Sequence, residues 1–237
     1  METNQLIYAY SQGFFPMPDP ETGDILWLAP HRRAVFPLDG FHVSRSLRAS
    51  LRKIPWEIAI NRDYLGVIAG CRNRKETWIT EEFVEAYGRL YREGFAHSVE
   101  VYFEGKLVGG TYGVSIGGAF FAESMFHTMT NASKVALYYL VERMKHRGMA
   151  LLEVQFLTPH LASLGAVEIS KLQYLVRLRD ALKMPVSFGD PQRRGEVKSI
   201  PLKDHQISLG GNDNLGGHDL NDITLTDRSQ TNKGKGD

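Results

Sequence analysis

Two carboxylates and one amide are the residues of this chain whose types and spacing could do chemistry. In the string Leu151-Leu152-Glu153-Val154-Gln155-Phe156, long polar side chains alternate with apolar ones. Along an extended strand Leu152, Val154 and Phe156 share one face and Glu153 and Gln155 the other, their Cα atoms about 6.6 Å apart. Two readings stand side by side: an exposed face of an edge strand, or a polar pair aimed into a site. The following Thr158-Pro159-His160 reads as a loop at the strand's C-terminal end, where open α/β sheets usually place ligands. Glu123 is the other candidate, an acid inside the apolar string Phe120-Phe121-Ala122-Glu123-Ser124-Met125-Phe126. A carboxylate among aromatic rings is either paired, with Lys134 or with backbone donors of the next helix, or has its pKa raised by desolvation.

Other chemistries find little support. The glycines of residues 109–118 fall in a strand pattern that opens no helix, so they mark a bulge or a close backbone approach, not a phosphate cradle. The eight histidines show no metal-ligand spacing, and no metal is expected. Ser124 and His127 lack an orienting acid. The single cysteine, Cys71, excludes an intramolecular disulfide and fits a reducing cytosol. No apolar run reaches the eighteen or so residues of a membrane span, and the N-terminus does not read as a signal peptide. The net charge of +1 hides a local excess: residues 31–75 hold ten Lys or Arg against three acids. That is a footprint for a polyanion, or a surface balanced by acids from elsewhere in the fold.

Periodicity predicts the elements that position these residues. Prolines at 16, 18, 20, 30 and 37 break up the first sixty residues into turns and short edge strands. A short helix over 42–53 would carry Arg45, Arg48 and Arg52 near one face. A helix follows Thr80 and ends at Gly94, a hairpin covers 97–116, and a strand covers 119–126. A helix over about 132–147, capped by Asn131 and closed by Gly148, leads to the strand at 150–156. Ser170 and Gln173 form a capping box for a last helix through Leu182. The predicted fold is α+β (α/β-like), with a small N-terminal domain over 1–62 and a larger one over 63–188. The tail over 189–237 is too polar to bury a core and is expected to be disordered.

Several strings together resemble the leucyl/phenylalanyl-tRNA–protein transferase family. They include residues 9–16 with Ile25-Leu26-Trp27, Thr77-Trp78-Ile79-Thr80, residues 96–101, 107–110, 121–126 and 131–134, and residues 160–166. The resemblance implies a C-terminal acetyltransferase-like (GNAT-type) domain. It also implies transfer of Leu or Phe from aminoacyl-tRNA to proteins with N-terminal Arg or Lys, marking them for degradation. Matched motif by motif, it makes Glu153, Gln155 and Glu123 catalytic. It lines an aminoacyl pocket with Phe120, Ala122, Met125, Leu137, Leu140 and Leu152. It assigns Tyr10, Arg45, Arg48, Arg52, Lys53 and Trp78 to tRNA. The family's catalytic Asp is Glu153 here, two expected tryptophans are Met17 and Leu28, and Thr111 replaces a common pocket methionine or leucine. These departures bear on amino-acid preference more than on reaction class.

The implied reaction needs no cofactor: the ester is already activated, and an α-amine of pKa near 8 keeps a useful neutral fraction. Gln155 would accept a hydrogen bond from that amine, and Glu153 would orient Gln155 and stabilise the developing ammonium. A cytoplasmic monomer is expected. One alternative is a relative with another amino-acid or acceptor preference. A coenzyme-A-dependent N-acetyltransferase is the rival of another class, but the stretch before the 132–147 helix has none of the glycines its pyrophosphate loop requires. A tRNA-binding module without catalysis is the third.

Overall fold

The computed structural model of the chain describes residues 1–74 and 77–190. In chain order its helices are α1 (Thr3–Ser11), α2 (Arg45–Lys53), α3 (Tyr64–Arg72), α4 (Glu81–Arg92), α5 (Ala132–His146), α6 (Pro159–Ser163) and α7 (Lys171–Leu182). Its strands are β1 (Phe15–Pro18), β2 (Ile25–Leu28), β3 (Arg32–Phe36), β4 (Glu57–Ile60), β5 (Ala96–Phe103), β6 (Lys106–Ile116), β7 (Ala119–His127), β8 (Leu151–Glu153) and β9 (Val167–Ser170).

The longest alternating stretch builds the middle of the molecule, where β5, β6 and β7 run antiparallel. Glu104 and Gly105, both left-handed at φ 50° and 74°, turn β5 into β6 in the way that matches strand twist. Helix α5 then crosses over to β8, which lies parallel to β7. The full order β4-β5-β6-β7-β8-β3-β9 makes one mixed seven-stranded sheet, and β1 and β2 form a separate pair. Strands β3 and β4 precede residue 62, so the sheet runs across the boundary expected there. Pro30 and Pro37 flank β3 instead of interrupting it, so neither removes a ladder hydrogen bond.

Each face of the sheet buries an apolar cluster. One lies against α1, α3, α4 and α7 and includes Leu6, Tyr10, Val67, Phe83, Tyr87, Phe121 and Tyr174. The other lies against α5 and includes Phe36, Phe120, Leu137, Leu140, Leu152 and Phe188. Strand alternation sorts neighbours between them: Phe121 goes to the first and Phe120 to the second.

Local signals hold unevenly. The capping box at Ser170 is present, with Ser170 Oγ accepting from the Gln173 N–H at 3.3 Å. Gly148, left-handed at φ 66°, follows the end of α5 as expected. Asn131 does not cap α5 with its side chain; it adopts a left-handed φ of 70°, and its role is to turn the chain into the helix. The ladder between the glycine-rich β6 and β7 carries a bulge, and the extra residue is on β7. Tyr112 faces Ser124 and Gly113 faces Ala122, so Glu123 is the extra residue on β7. A Cβ on Gly113 would collide with the Phe121 carbonyl, so this register requires glycine. The expected tail begins with two well-held residues: Arg147 donates to the Gly189 carbonyl at 2.8 Å and Arg143 pairs with Asp190 at 3.1 Å. Its remainder, 191–237, lies outside the described residues.

Candidate active site

Strand β8 ends at Glu153, and this changes how the polar pair is presented. Gln155 is left-handed at φ 63°, so it does not share a strand face with Glu153 as the alternation predicted. The cause is tertiary. The Gln155 N–H donates to Glu153 Oε1 at 2.6 Å, while its carbonyl still accepts from the Ala34 N–H at 3.0 Å. A left-handed residue other than glycine costs of order 1 kcal/mol and persists only where its surroundings over-determine it. The edge-strand reading fails as well: β8 lies between β7 and β3, and Glu153 is 0% exposed.

Glu123, the bulge residue, is also buried. Its carboxylate accepts from Tyr10 Oη at 2.6 Å, from Tyr87 Oη at 3.0 Å and from Gln155 Nε2 at 3.1 Å. These, rather than Lys134 or helix N–H groups, are its partners. Burial pushes its pKa up to about 7; the Tyr10 and Tyr87 hydrogen bonds oppose that rise and the nearby Glu153 adds to it. Burial, with the Glu123 charge beside them, holds both tyrosine hydroxyls protonated far above their ordinary range. Gln155 Nε2 is committed to Glu123, which fixes the direction of its carbonyl Oε1, an acceptor.

The cluster sits where the sheet splits. Strands β7 and β8 pair only from Ala119–Phe121 to Leu151–Glu153, and beyond that ladder Gln155 reaches across to Glu123. On the α5 face of the same strands, Phe120, Leu137, Leu140 and Leu152 form one buried cluster, with Ala122 packed against it. Met125, half-buried, faces Thr111 across the β6–β7 ladder. The loop expected after β8 becomes α6, capped by the Thr158 hydroxyl on the Leu161 N–H at 3.2 Å.

Arg33 escaped the sequence reading, which counted it among surface charges. It is 1% exposed and meets Glu153 Oε1 through Nε at 3.1 Å and through a terminal nitrogen at 2.9 Å. The signal was its place in Arg32-Arg33-Ala34-Val35-Phe36, where alternation puts Arg33 on the same face as Val35. Three more of the ten basic residues have acid partners: Arg32 with Glu168, Arg62 with Glu57 and Arg72 with Glu81. Arg45, Arg48, Arg52 and Lys53 are exposed on α2 and make no ion pair among the described residues. Lys75 lies outside the described residues. Tyr10, grouped with the tRNA contacts, is instead 1% exposed with its hydroxyl on Glu123. Trp78 is half-buried, edge-on to Phe83 with ring centres 5.1 Å apart. Met17 and Leu28 lie on the β1–β2 pair, packed against the first apolar cluster. Among the described residues no group of three or more His, Cys, Asp or Glu could hold a metal, and no helix is long and apolar enough to cross a membrane.

The model of the leucyl/phenylalanyl-tRNA protein transferase family matches residues 35–179, and that of its N-terminal domain matches residues 2–31. A leucyl/phenylalanyl-tRNA–protein transferase of Ruegeria sp. is 49% identical over 81% of this chain and 91% of its own length. One from Prosthecochloris aestuarii is 47% identical over 79% of this chain and 99% of its own. Among solved structures, L-PGS from Bacillus licheniformis is 14% identical, covering 65% of this chain and 52% of that one at a TM-score of 0.40. A ribosomal-protein-alanine N-acetyltransferase from Brucella melitensis is 16% identical, covering 41% and 77% at a TM-score of 0.31. Likeness at that level carries no argument about mechanism. The sequence matches show the family: the chain belongs to the leucyl/phenylalanyl-tRNA–protein transferase family.

Proposed function

We propose that the chain transfers leucine or phenylalanine from its tRNA to the N-terminal Arg or Lys of acceptor proteins in the cytoplasm. Family membership supports the reaction class, and the motif resemblance supports the donor and acceptor. The observation that carries the assignment of the site is the buried Glu123–Tyr10–Tyr87–Gln155 cluster at the split between β7 and β8. On the α5 face of the same strands lies the apolar cluster of Phe120, Leu137, Leu140 and Leu152, the positions that the motif resemblance assigns to a hydrophobic aminoacyl side chain.

The acceptor's α-amine attacks the ester carbonyl. A C–N bond forms, the C–O bond to the ribose breaks, the amine loses a proton and the tRNA end regains its hydroxyl. No covalent enzyme intermediate is required, so the protein supplies position and charge. Gln155 Oε1 accepts a hydrogen bond from the amine. Glu123 offsets the positive charge the amine gains, and its pKa of about 7 keeps it poised at neutral pH. Glu153, buried and paired with Arg33, holds Gln155 in place. Ala122 and Met125 are the other positions that the resemblance assigns to the aminoacyl side chain, and the exposed α2 cations grip tRNA phosphates.

Incubation with labelled Leu-tRNA or labelled acetyl-CoA and an Arg-initiated peptide tests this reading. Label is expected to move from Leu-tRNA and not from acetyl-CoA. Met-tRNA is expected to leak through, because one methylene in an apolar pocket discriminates by only about 1–3 kcal/mol. Transfer from acetyl-CoA, or a preference for Arg-tRNA, would overturn it.

A further inference from the structure

A closed circuit of hydrogen bonds runs through Arg33. Its guanidinium donates to Glu153 Oε1 from Nε at 3.1 Å, and Glu153 Oε1 accepts the Gln155 N–H at 2.6 Å. Gln155 Nε2 donates to Glu123 Oε2 at 3.1 Å. In the other direction Arg33 donates to the Gly13 carbonyl at 2.6 Å, and the Gly13 N–H donates to the Tyr10 carbonyl at 3.0 Å. Tyr10 Oη then donates to Glu123 Oε1 at 2.6 Å. Both oxygens of Glu123 are therefore approached by donors whose backbones are anchored, through one or two links, on the same guanidinium.

We infer that Arg33 is the positioning residue of the transfer reaction, fixing Gln155 and Tyr10 against Glu123 from inside the fold. This rests on the reading that Gln155 and Glu123 handle the transfer. Arg33 touches no substrate in that scheme. Its fork is what the task requires: planar donors meet a carboxylate, a carbonyl and the Tyr174 hydroxyl, the last at 3.3 Å. The group is clamped between two rings, its carbon 4.9 Å from the centre of Phe15 and 4.2 Å from that of Tyr174. Among the described residues the other oxygen of Glu153, Oε2, is buried with no hydrogen-bond partner, so there the carboxylate is held through Oε1 alone. If that hold loosens, the Gln155 N–H loses its acceptor, and the Ala34 N–H and Glu123 contacts alone must keep the residue left-handed. An ammonium at this position would keep the charge but lose the fork.

The test is a mutant cycle read by single-turnover transfer from saturating Phe-tRNA, alongside tRNA affinity and melting temperature. Arg33→Lys is expected to lower the rate about tenfold or more with tRNA Kd within about twofold, the pattern of a lost transition-state interaction. On a Gln155→Ala background the same change is expected to cost no more than about threefold, because most of what Arg33 positions is already gone. An equal factor in both backgrounds, or a loss that only follows the unfolded fraction, would reduce Arg33 to a core ion pair. If Arg33→Lys fails to fold, Tyr174→Phe removes a single hydroxyl from the guanidinium's surroundings; a smaller loss that vanishes in Gln155→Ala is expected. A Tyr174→Phe loss of equal size in both backgrounds would overturn the inference. Gln155→Ala that transfers at the wild-type rate would instead remove the reading of the site, and the inference with it.

Discussion

Replacing Glu123 by glutamine is expected to change how stability depends on pH, and the size of the change follows from burial. The carboxyl's pKa moves from an ordinary 4.5 to about 7 in the fold. Between those values the native protein holds a proton that the unfolded chain has released, so stability falls as pH rises through the window and is flat on either side. At about 1.4 kcal/mol per tenfold change in proton affinity, the fall is roughly 3 kcal/mol. His97 works in the opposite sense: burial, with Arg143 nearby, lowers its pKa to about 4, so its contribution is lost as pH drops below 6.5. The two windows overlap, and only the difference between wild type and Glu123→Gln isolates the carboxyl. The titratable groups facing it are Tyr10 on α1, Tyr64 on α3, Tyr87 on α4, Tyr112 on β6 and Glu153 on β8, with Arg33 on β3. All of them are retained in the variant. The assay is urea denaturation of both proteins from about pH 5 to about pH 8, with ΔG extrapolated to water at each pH. A difference curve flat within about 0.5 kcal/mol, the usual non-additivity for separate sites, would refute the argument that desolvation dominates at Glu123.

Gln155→Ala is expected to lower the single-turnover rate about 10²-fold with tRNA affinity unchanged, and a wild-type rate would remove Gln155 from the reaction. Arg48→Ala should weaken tRNA binding and flatten the slope of log affinity against log salt by roughly 0.7–0.9; an unaltered slope would make it a solvated face residue. Tyr87→Phe removes a single hydroxyl that donates to Glu123 at 3.0 Å and lies 2.6 Å from the Tyr10 hydroxyl. A loss of about 1–3 kcal/mol is expected in denaturation, and no loss would mean those contacts contribute nothing net. His97→Gln should abolish the part of acid sensitivity that lies between pH 6.5 and about 4; an unchanged acid limb would assign it to other groups.

Much of the fold was legible because its signals are long or chemically specific. The alternation over β5 to β7, the helical period of α4 and α5, and the Ser170 capping box each involve enough residues to outweigh local noise. Strand β3 was not legible: five residues between prolines look like edge or turn, yet they sit between β8 and β9 with four of the five buried. Glu123 and Gln155 were both legible as polar residues in apolar surroundings. The geometry that joins them was not, because a bulge and a left-handed backbone arise from contacts with distant strands. Arg33 was hidden for a related reason. A basic residue beside another basic residue reads as surface, and only the partner Glu153, 120 positions away, says otherwise.

The N-terminal segment takes on a different meaning once these contacts are placed. The two family models meet across a gap at residues 32–34, and Arg33 falls inside it. Physically, the site draws on both sides of that gap. Tyr10, Gly13 and Phe15 come from before it, while Tyr87, Glu123, Glu153 and Gln155 come from after it. A buried carboxylate needs donors to offset its lost hydration, and Tyr10 supplies the shortest of the three. Without that segment Glu123 would keep two donors, and Arg33 would lose both the Gly13 carbonyl and the Phe15 ring. Docking the N-terminal segment thus completes the hydrogen bonding around Glu123, and β3, which leads toward helix α2, carries Arg33 into the same cluster.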